Sequence, residues 1–95
     1  MSTFVLTCVD KPDSLALRMA NRDAHFAYLG QHPGFVRLAG PFLDPDGAMA
    51  GSLLIVEAAD LAAATAFAEA DPYALAGLFE RVEIRAWRAT IGILP

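Results

Sequence analysis

The apolar stretch from Thr3 to Val9 most constrains what this chain can fold into. It is rich in β-branched and aromatic residues, which favour extended backbone. Alternate side chains of a strand point to opposite faces of a sheet, and here both sets are largely apolar. The two sets are Phe4, Leu6 and Cys8 on one face, and Val5, Thr7 and Val9 on the other. A strand of this kind needs cover on both sides, so we expect a central strand.

The next segment, from Ser14 to about His32, has the spacing of a long helix. Leu15, Met19, Phe26 and Leu29 fall on one stripe at helical spacing and are predicted to face the core. Pro33-Gly34 ends the helix, because proline disfavours a helical residue before it.

The remaining segments complete the pattern of a small α+β domain. They are a strand at Phe35–Leu43, a turn at Asp44–Gly47, a strand at Gly51–Glu57, a helix at Leu61–Glu69, a helical turn at Asp71–Leu78 and a strand at Glu80–Ala89. Pro41 marks the second strand as an edge strand or a strand ending, because proline cannot donate to the ladder. The order β-α-β-β-α-β predicts a ferredoxin-like fold, a four-stranded antiparallel sheet with both helices on one face, in a single domain spanning residues 1–95.

This arrangement leaves one face of the sheet without helices, yet the strands are apolar on both sides. Hydrophobic residues make up 56% of the chain. Because a large exposed apolar face is a liability in a monomer, we expect two copies to pack sheet against sheet as a homodimer.

Charge and cysteine content exclude several classes of partner. The net charge of −4 argues against nucleic acid and against anionic membrane. No apolar run reaches the roughly 18 residues of a membrane span. The single cysteine, Cys8, cannot form an internal disulfide and is expected to be buried and inert, so we expect a reduced cytoplasm as the compartment. Neither a glycine-rich phosphate loop nor a cluster at metal-ligand spacing occurs, so no cofactor and no metal are predicted.

One flank of the long helix is polar, in the stretch from Asn21 to Leu29. Helical spacing places His25 beside Arg18, Arg22 and Tyr28. Histidine is the most common general acid or base in enzymes, whereas a lone helical histidine can equally be a solvated surface residue. His25 is therefore the first candidate for a functional residue.

Several short motifs occur in the order and rough spacing of the YciI-like (YCII-related) family. They are Arg22-Asp23-Ala24-His25, Ala39-Gly40-Pro41, Gly51-Ser52, Ala70-Asp71-Pro72-Tyr73 and the ending Arg81 to Arg88. The chain resembles this family over nearly its whole length. The resemblance implies a dimeric α+β barrel and a histidine–aspartate pair in a pocket between helix and sheet, which falls on His25 and Asp71. Some relatives act as dehydrochlorinases on chlorinated hydroxyquinols.

Each further candidate has a structural alternative. Asp71 precedes a proline and can be the N-cap of a helical turn instead of a catalytic partner. Arg22 can bind an anionic or phenolate oxygen, or form a surface ion pair. Ser52 can donate a hydrogen bond into the pocket or cap the end of the hairpin, and Tyr73 can line the pocket or pack the turn against the core.

Two functions follow from these residues. The first is a small cofactor-free enzyme of lyase or isomerase type acting on a small aromatic or anionic metabolite. In it His25 is the acid or base, Asp71 orients it, and Arg22 or Ser52 steadies an oxyanion. The alternative is a non-catalytic module that binds a small molecule or another protein.

Overall fold

The computed structural model describes all 95 residues, and its elements follow the predicted order. The elements are β1 (Ser2–Asp10), α1 (Leu15–Gly30), β2 (Val36–Leu43), β3 (Met49–Ala58), α2 (Leu61–Glu69), α3 (Pro72–Leu75) and β4 (Phe79–Ala86). The ferredoxin-like fold class is confirmed. None of the helices has the length and apolarity that crossing a membrane requires.

The four strands form one antiparallel sheet in the order β2-β3-β1-β4. β1 is central as predicted, since Leu6 lies opposite Leu54 of β3 and Ile84 of β4. β2, which carries Pro41, is an edge strand, so its missing N–H costs the sheet little.

The hydrophobic core lies on one side of the sheet, between the strands and α2. Alternate residues of β1, among them Phe4 and Leu6, are buried there against Phe67 of α2. The opposite face carries no helix, and Val5 and Thr7 are only half-buried on it. Within a single chain, β1 is therefore covered on one side and open on the other.

The predicted core stripe of α1 is wrong for most of its length. Leu15, Met19 and Phe26 are 45%, 46% and 52% exposed. Only Leu29 is half-buried and packs against the core. The apolar stripe thus runs along the outer flank of the helix.

The residues that α1 buries are Arg18 and His25. They face the polar side chains of Asp10, Ser52 and Asp71 and make hydrogen bonds with all three. A buried polar group without a partner is costly in free energy. These hydrogen bonds, and not the apolar stripe, therefore determine which face of α1 is buried.

Gly51 of β3 lies opposite Val9 of β1. A Cβ atom there would overlap with the backbone oxygen of Cys8, which cannot move without disturbing the ladder. We expect Gly51→Ala to lower the free energy of unfolding by about 1–3 kcal/mol, as overpacking typically does. Urea unfolding followed by circular dichroism measures this.

Gly30→Ala is the matched control, because nothing lies within 4 Å of a Cβ at that position. It is expected to be neutral or to stabilise by about 0.5–1 kcal/mol, since alanine restricts the unfolded chain. Equal stability of the two variants would contradict the close approach at Gly51.

Candidate functional site

Five polar side chains are buried in one region between α1 and the sheet. Their residues are 3–9% exposed: Asp10, Arg18, His25, Ser52 and Asp71. Every buried side-chain nitrogen and oxygen has a hydrogen-bond partner. Polar groups at this depth are stable only when they are paired, so each one restricts the position of its neighbours.

His25 and Asp71 form the first pair. Nδ1 of His25 lies 2.8 Å from Oδ1 and 3.0 Å from Oδ2 of Asp71. An ionised carboxylate only accepts hydrogen bonds, so this contact favours the tautomer that carries the proton on Nδ1. Nε2 of His25 makes no hydrogen bond to the protein. Because every buried side-chain nitrogen has a partner, Nε2 is not buried and is accessible to solvent or to a ligand.

Asp71 also has its structural role, as the N-cap of α3. Its Oδ1 accepts a hydrogen bond of 2.9 Å from the backbone N–H of Tyr73, and Pro72 occupies the first turn. The two interpretations of Asp71 are therefore compatible, because one carboxylate contacts both Tyr73 and His25. The capping hydrogen bond fixes the position of the Asp71 carboxylate, and therefore the position of the group that Nδ1 of His25 contacts.

Tyr73 stacks on the imidazole of His25, with ring centroids 4.0 Å apart and planes 15° apart. The stack and the contact with Asp71 together fix the plane and the position of the His25 ring. Burial raises the pKa of the Tyr73 hydroxyl; the charge of Arg18 opposes this and that of Asp71 adds to it. The hydroxyl is therefore protonated at neutral pH.

Arg18 forms the second group, with Asp10 and Ser52. Nε and Nη2 of Arg18 donate to the two carboxylate oxygens of Asp10 at 2.7 and 2.9 Å, and Nη2 also donates to Oγ of Ser52 at 2.9 Å. Burial lowers the pKa of Arg18, but the hydrogen bond and charge of Asp10 outweigh it and raise the pKa above its ordinary value. Arg18 is therefore a permanent cation.

The sequence pattern assigns no functional role to Asp10 or to Arg18. It predicts only that Arg18 lies beside His25 on the helix. One signal was present: Arg18 and His25 are seven positions apart, nearly two helical turns, so they share a face of α1. The other signal was the alternation of side chains along a strand, because Asp10 falls on the same face of β1 as the buried Cys8.

A cavity of about 190 Å³ opens beside these groups, between α1 and the strands β2 and β3. Four of the predicted site residues line it: Arg22, His25, Ser52 and Tyr73. Arg18 lines it as well, and Asp71 lies behind His25. The rest of the lining is largely apolar and includes Phe26, Leu29 and the backbone around Gly40-Pro41. This volume suits a small molecule of about one ring.

Arg22 differs from Arg18 in its surroundings. It is exposed, and its guanidinium carbon lies 4.8 Å from the ring centre of Phe26. It therefore places a positive charge at the solvent-facing edge of the cavity, where the arginine–aromatic contact holds it. No group of three or more His, Cys, Asp or Glu side chains in the structure is arranged to hold a metal ion.

Cys8 lies under the site and is 2% exposed. Burial, with the charge of Asp71 as the next cause, raises the pKa of its thiol to about 12. The thiol is protonated below that pH, and the thiolate is the reactive form. We expect no labelling of the folded protein by iodoacetamide at about pH 8 and complete labelling in urea. Labelling of the folded protein at the rate of the unfolded chain would contradict the burial.

Fold and site together define a ferredoxin-like α+β protein with a small cavity beside a paired histidine and aspartate. The chain belongs to the YCII-related family, because the family described as the YCII-related domain matches residues 2–88. It is 39% identical over 93 residues to Protein YciI of Escherichia coli O6:H1 and, equally, to Protein YciI of Shigella flexneri. These alignments cover 90% of this chain and 95% of each relative. The resemblance found in the sequence motifs is confirmed.

Solved structures agree with this assignment. The chain is similar to the 5-chloro-2-hydroxyhydroquinone dehydrochlorinase of Burkholderia phenoliruptrix AC1100, solved in complex with 2,5-dihydroxybenzoquinone. The TM-score is 0.83 at 35% identity, over 90% of this chain and 93% of that one. Protein Atu4242 of Agrobacterium tumefaciens, with a TM-score of 0.60 at 19% identity over 100% of both chains, shares the fold alone.

Proposed function

We propose that this protein is a small enzyme, active without a cofactor, that moves a proton on a small ring compound during elimination or isomerisation. His25 is the acid or base and Asp71 is its partner. One observation carries the proposal: Asp71 contacts Nδ1 of His25 while His25 lines a cavity of single-ring size. This is the geometry in which Nε2 can exchange a proton with a bound molecule.

The chemistry follows from the fixed ring of His25. Nε2 takes a proton from an acidic C–H or O–H group of the substrate, and the imidazolium that forms is stabilised by the Asp71 carboxylate. The electron pair left on the substrate moves into the ring or onto a conjugated oxygen. In an elimination, a leaving group such as chloride departs with its own bonding pair, and the proton on His25 is returned to solvent.

The other predicted site residues have roles in holding the substrate. Arg22 attracts an anionic or phenolate oxygen to the edge of the cavity. Ser52 donates a hydrogen bond inside the cavity, and Tyr73 holds the imidazole by stacking. These roles are proposals that rest on the positions of the side chains around the cavity.

The relatives suggest where to look for a substrate. The dehydrochlorinase from Burkholderia acts, by its name, on 5-chloro-2-hydroxyhydroquinone, and its bound ligand is a planar ring bearing several oxygens. A ring of that size suits a cavity of about 190 Å³. This supports oxygenated ring compounds as the first substrates to test on this protein.

The test is an assay of chloride release from 5-chloro-2-hydroxyhydroquinone, together with calorimetric titration of 2,5-dihydroxybenzoquinone. We expect saturable binding of the quinone at one site per chain, and chloride release that this quinone inhibits competitively. Absence of both binding and turnover would remove oxygenated rings as the substrate class.

The alternative is a non-catalytic binding module that uses the same cavity. The observation in its favour is that the buried cation Arg18 is already paired with Asp10, leaving the exposed Arg22 to attract a ligand. This function predicts ligand binding that is lost in Arg22→Ala and unchanged in His25→Gln. The enzyme proposal predicts turnover that is lost in His25→Gln.

We also propose that two copies pair through the open face of the sheet. Val5 and Ile55 lie on that face, and Trp87 beside them is 42% exposed. Association would cover this apolar surface and supply burial that a small chain lacks. The unpaired Cys8 is compatible with a reduced cytoplasm, which remains part of the proposal.

Sedimentation equilibrium at micromolar concentration tests the pairing. We expect the mass of two chains for the unaltered protein and of one chain for Val5→Lys, because the lysine would place a charge in the buried interface. Leu75→Lys is the control, since Leu75 is 73% exposed on α3, away from the open face, and should leave the dimer intact. A mass of one chain for the unaltered protein would contradict the dimer.

A further inference from the structure

The hydroxyl of Ser52 is a hydrogen-bond donor whose direction is set by Arg18. Oγ of Ser52 accepts from Nη2 of Arg18 at 2.9 Å. A serine hydroxyl has one hydrogen and rotates to suit its partners. Because the guanidinium occupies an acceptor position on Oγ, the hydroxyl hydrogen turns away from Arg18. Ser52 donates to no protein group and lines the cavity, so the hydrogen is available to a ligand.

Arg18 strengthens this donor. A hydrogen bond from a cation to Oγ polarises the O–H bond, and such chains of hydrogen bonds reinforce one another at low dielectric. Arg18 is 3% exposed, so water screens its charge very little. Nη1 of Arg18 takes no part in the bonds to Asp10 and Ser52, and Arg18 itself lines the cavity.

Asp10 sets the net charge of the group. Its two carboxylate oxygens accept hydrogen bonds from Nε and Nη2 of Arg18 at 2.7 and 2.9 Å. This bidentate pair is buried, since both side chains are almost inaccessible to solvent. The positive charge of Arg18 is therefore balanced at close range. Arg18, Asp10 and Ser52 together present directed donors without a net positive charge.

We propose that Arg18 and Ser52, held by Asp10, form a subsite that binds a carbonyl oxygen of the substrate in preference to a carboxylate. The inference rests on the proposed function and names the substrate class: a small ring with a carbonyl, or with a hydroxyl that tautomerises to one, conjugated to the position that loses a proton to His25. When that proton moves to Nε2, the electron pair is delocalised onto the carbonyl oxygen. The oxygen becomes an enolate, and the donors of Ser52 and Arg18 stabilise it.

The two arginines of α1 therefore have different roles in ligand binding. A permanent anion finds an unbalanced positive charge only at Arg22, at the edge of the cavity. Inside, a carboxylate would lose its hydration and meet the carboxylate of Asp10 behind Arg18, which costs free energy. A neutral carbonyl loses little hydration and gains the Ser52 hydroxyl.

Benzamide and benzoate test this selection, because they share one ring and differ in the charge of the group that would enter the subsite. Calorimetric titration of the unaltered protein is expected to give at least about tenfold tighter binding of benzamide than of benzoate. Ser52→Ala is expected to weaken benzamide binding about tenfold, the loss of one strong hydrogen bond. Ser52→Thr keeps the hydroxyl and is expected to keep most of the affinity.

Asp10→Asn provides a second test of the subsite, because it leaves the charge of Arg18 unbalanced. Its affinity for benzoate is expected to rise about tenfold or more, which reduces or removes the preference for benzamide. The Ser52 variants do not disturb the ion pair, so they decide the question even if Asp10→Asn fails to fold. Unchanged benzamide affinity in Ser52→Ala would overturn the subsite, and so would an affinity for benzoate that a folded Asp10→Asn variant leaves unchanged.

These outcomes are separate from those that test the enzyme proposal. Binding of benzamide involves no proton transfer, so a result against the subsite leaves the role of His25 standing. Retained turnover in His25→Gln would overturn the proposed function without changing the binding data.

Discussion

Arg18→Met is expected to lower the free energy of unfolding by about 3–5 kcal/mol, the largest stability effect of any single substitution in the site. The methionine fills much of the volume of the arginine but leaves the Asp10 carboxylate buried without its partner. Asp10 is 9% exposed, so water cannot replace the lost hydrogen bonds. Urea unfolding of the variant and the unaltered protein, followed by circular dichroism, measures the difference.

Two further variants make this prediction specific. In the double variant Asp10→Asn/Arg18→Met neither member of this pair carries a charge, so it is expected to be more stable than Arg18→Met alone. Arg81→Met removes an exposed arginine whose contact with Glu83 is 3.4 Å, and is expected to cost less than about 1 kcal/mol. A double variant no more stable than the single one would mean that the cost comes from packing and not from the unpaired carboxylate.

His25→Gln is expected to lower turnover of the proposed substrate by a factor of about 10²–10⁴, because the group that accepts the proton is gone. Glutamine keeps polar atoms in the same region, so the fold and the cavity should be retained. Steady-state kinetics measure the loss in kcat, and thermal unfolding checks that the variant is folded. His32→Gln is the matched control: His32 packs against Tyr28 and Phe67 outside the cavity and should leave turnover unchanged.

Asp71→Asn separates the two roles of Asp71. Asparagine can still cap α3 through the N–H of Tyr73, so stability should change little. The negative charge that stabilises the imidazolium is lost, so kcat should fall about 10²-fold or more. Asp71→Ala removes the cap as well and is expected to lose about 1 kcal/mol of stability in addition. Turnover in Asp71→Asn close to that of the unaltered protein would leave Asp71 with the cap alone.

The fold was predictable because its signals are local. The two apolar faces of Thr3–Val9 indicate a central strand, Pro41 indicates an edge strand or a strand ending, and Asp44–Gly47 indicates the turn of a hairpin. Strand alternation and turn chemistry depend on neighbouring residues, so they can be recognised without knowledge of tertiary contacts.

The rotation of α1 was not predictable from its own sequence. The apolar stripe of Leu15, Met19 and Phe26 indicates one buried face, and the structure buries another. That face was selected by hydrogen bonds to residues on other elements, including Ser52, which is 34 positions from Arg18. A helical pattern records which side chains share a face, but not which polar groups the sheet presents to it.

The site was predictable in part, for the same reason. His25 was singled out by its polar neighbours on α1, whereas Asp71 is 46 positions away and was connected to it only through the family resemblance. The pair of Asp10 and Arg18 spans a strand, a turn and the start of a helix. Neither residue has a motif that indicates its partner, so the second half of the site emerged only with the structure.

The central claim is that Asp71 holds His25 so that Nε2 is available to a ligand in the cavity. A long-range ¹H–¹⁵N correlation spectrum of the histidine side chains, recorded with and without 2,5-dihydroxybenzoquinone, tests it most directly. The account predicts that neutral His25 carries its proton on Nδ1 and that the Nε2 resonance shifts on addition of the ligand, while that of His32 does not. A proton on Nε2 in place of Nδ1, or an Nε2 resonance that the bound ligand leaves unchanged, would contradict it.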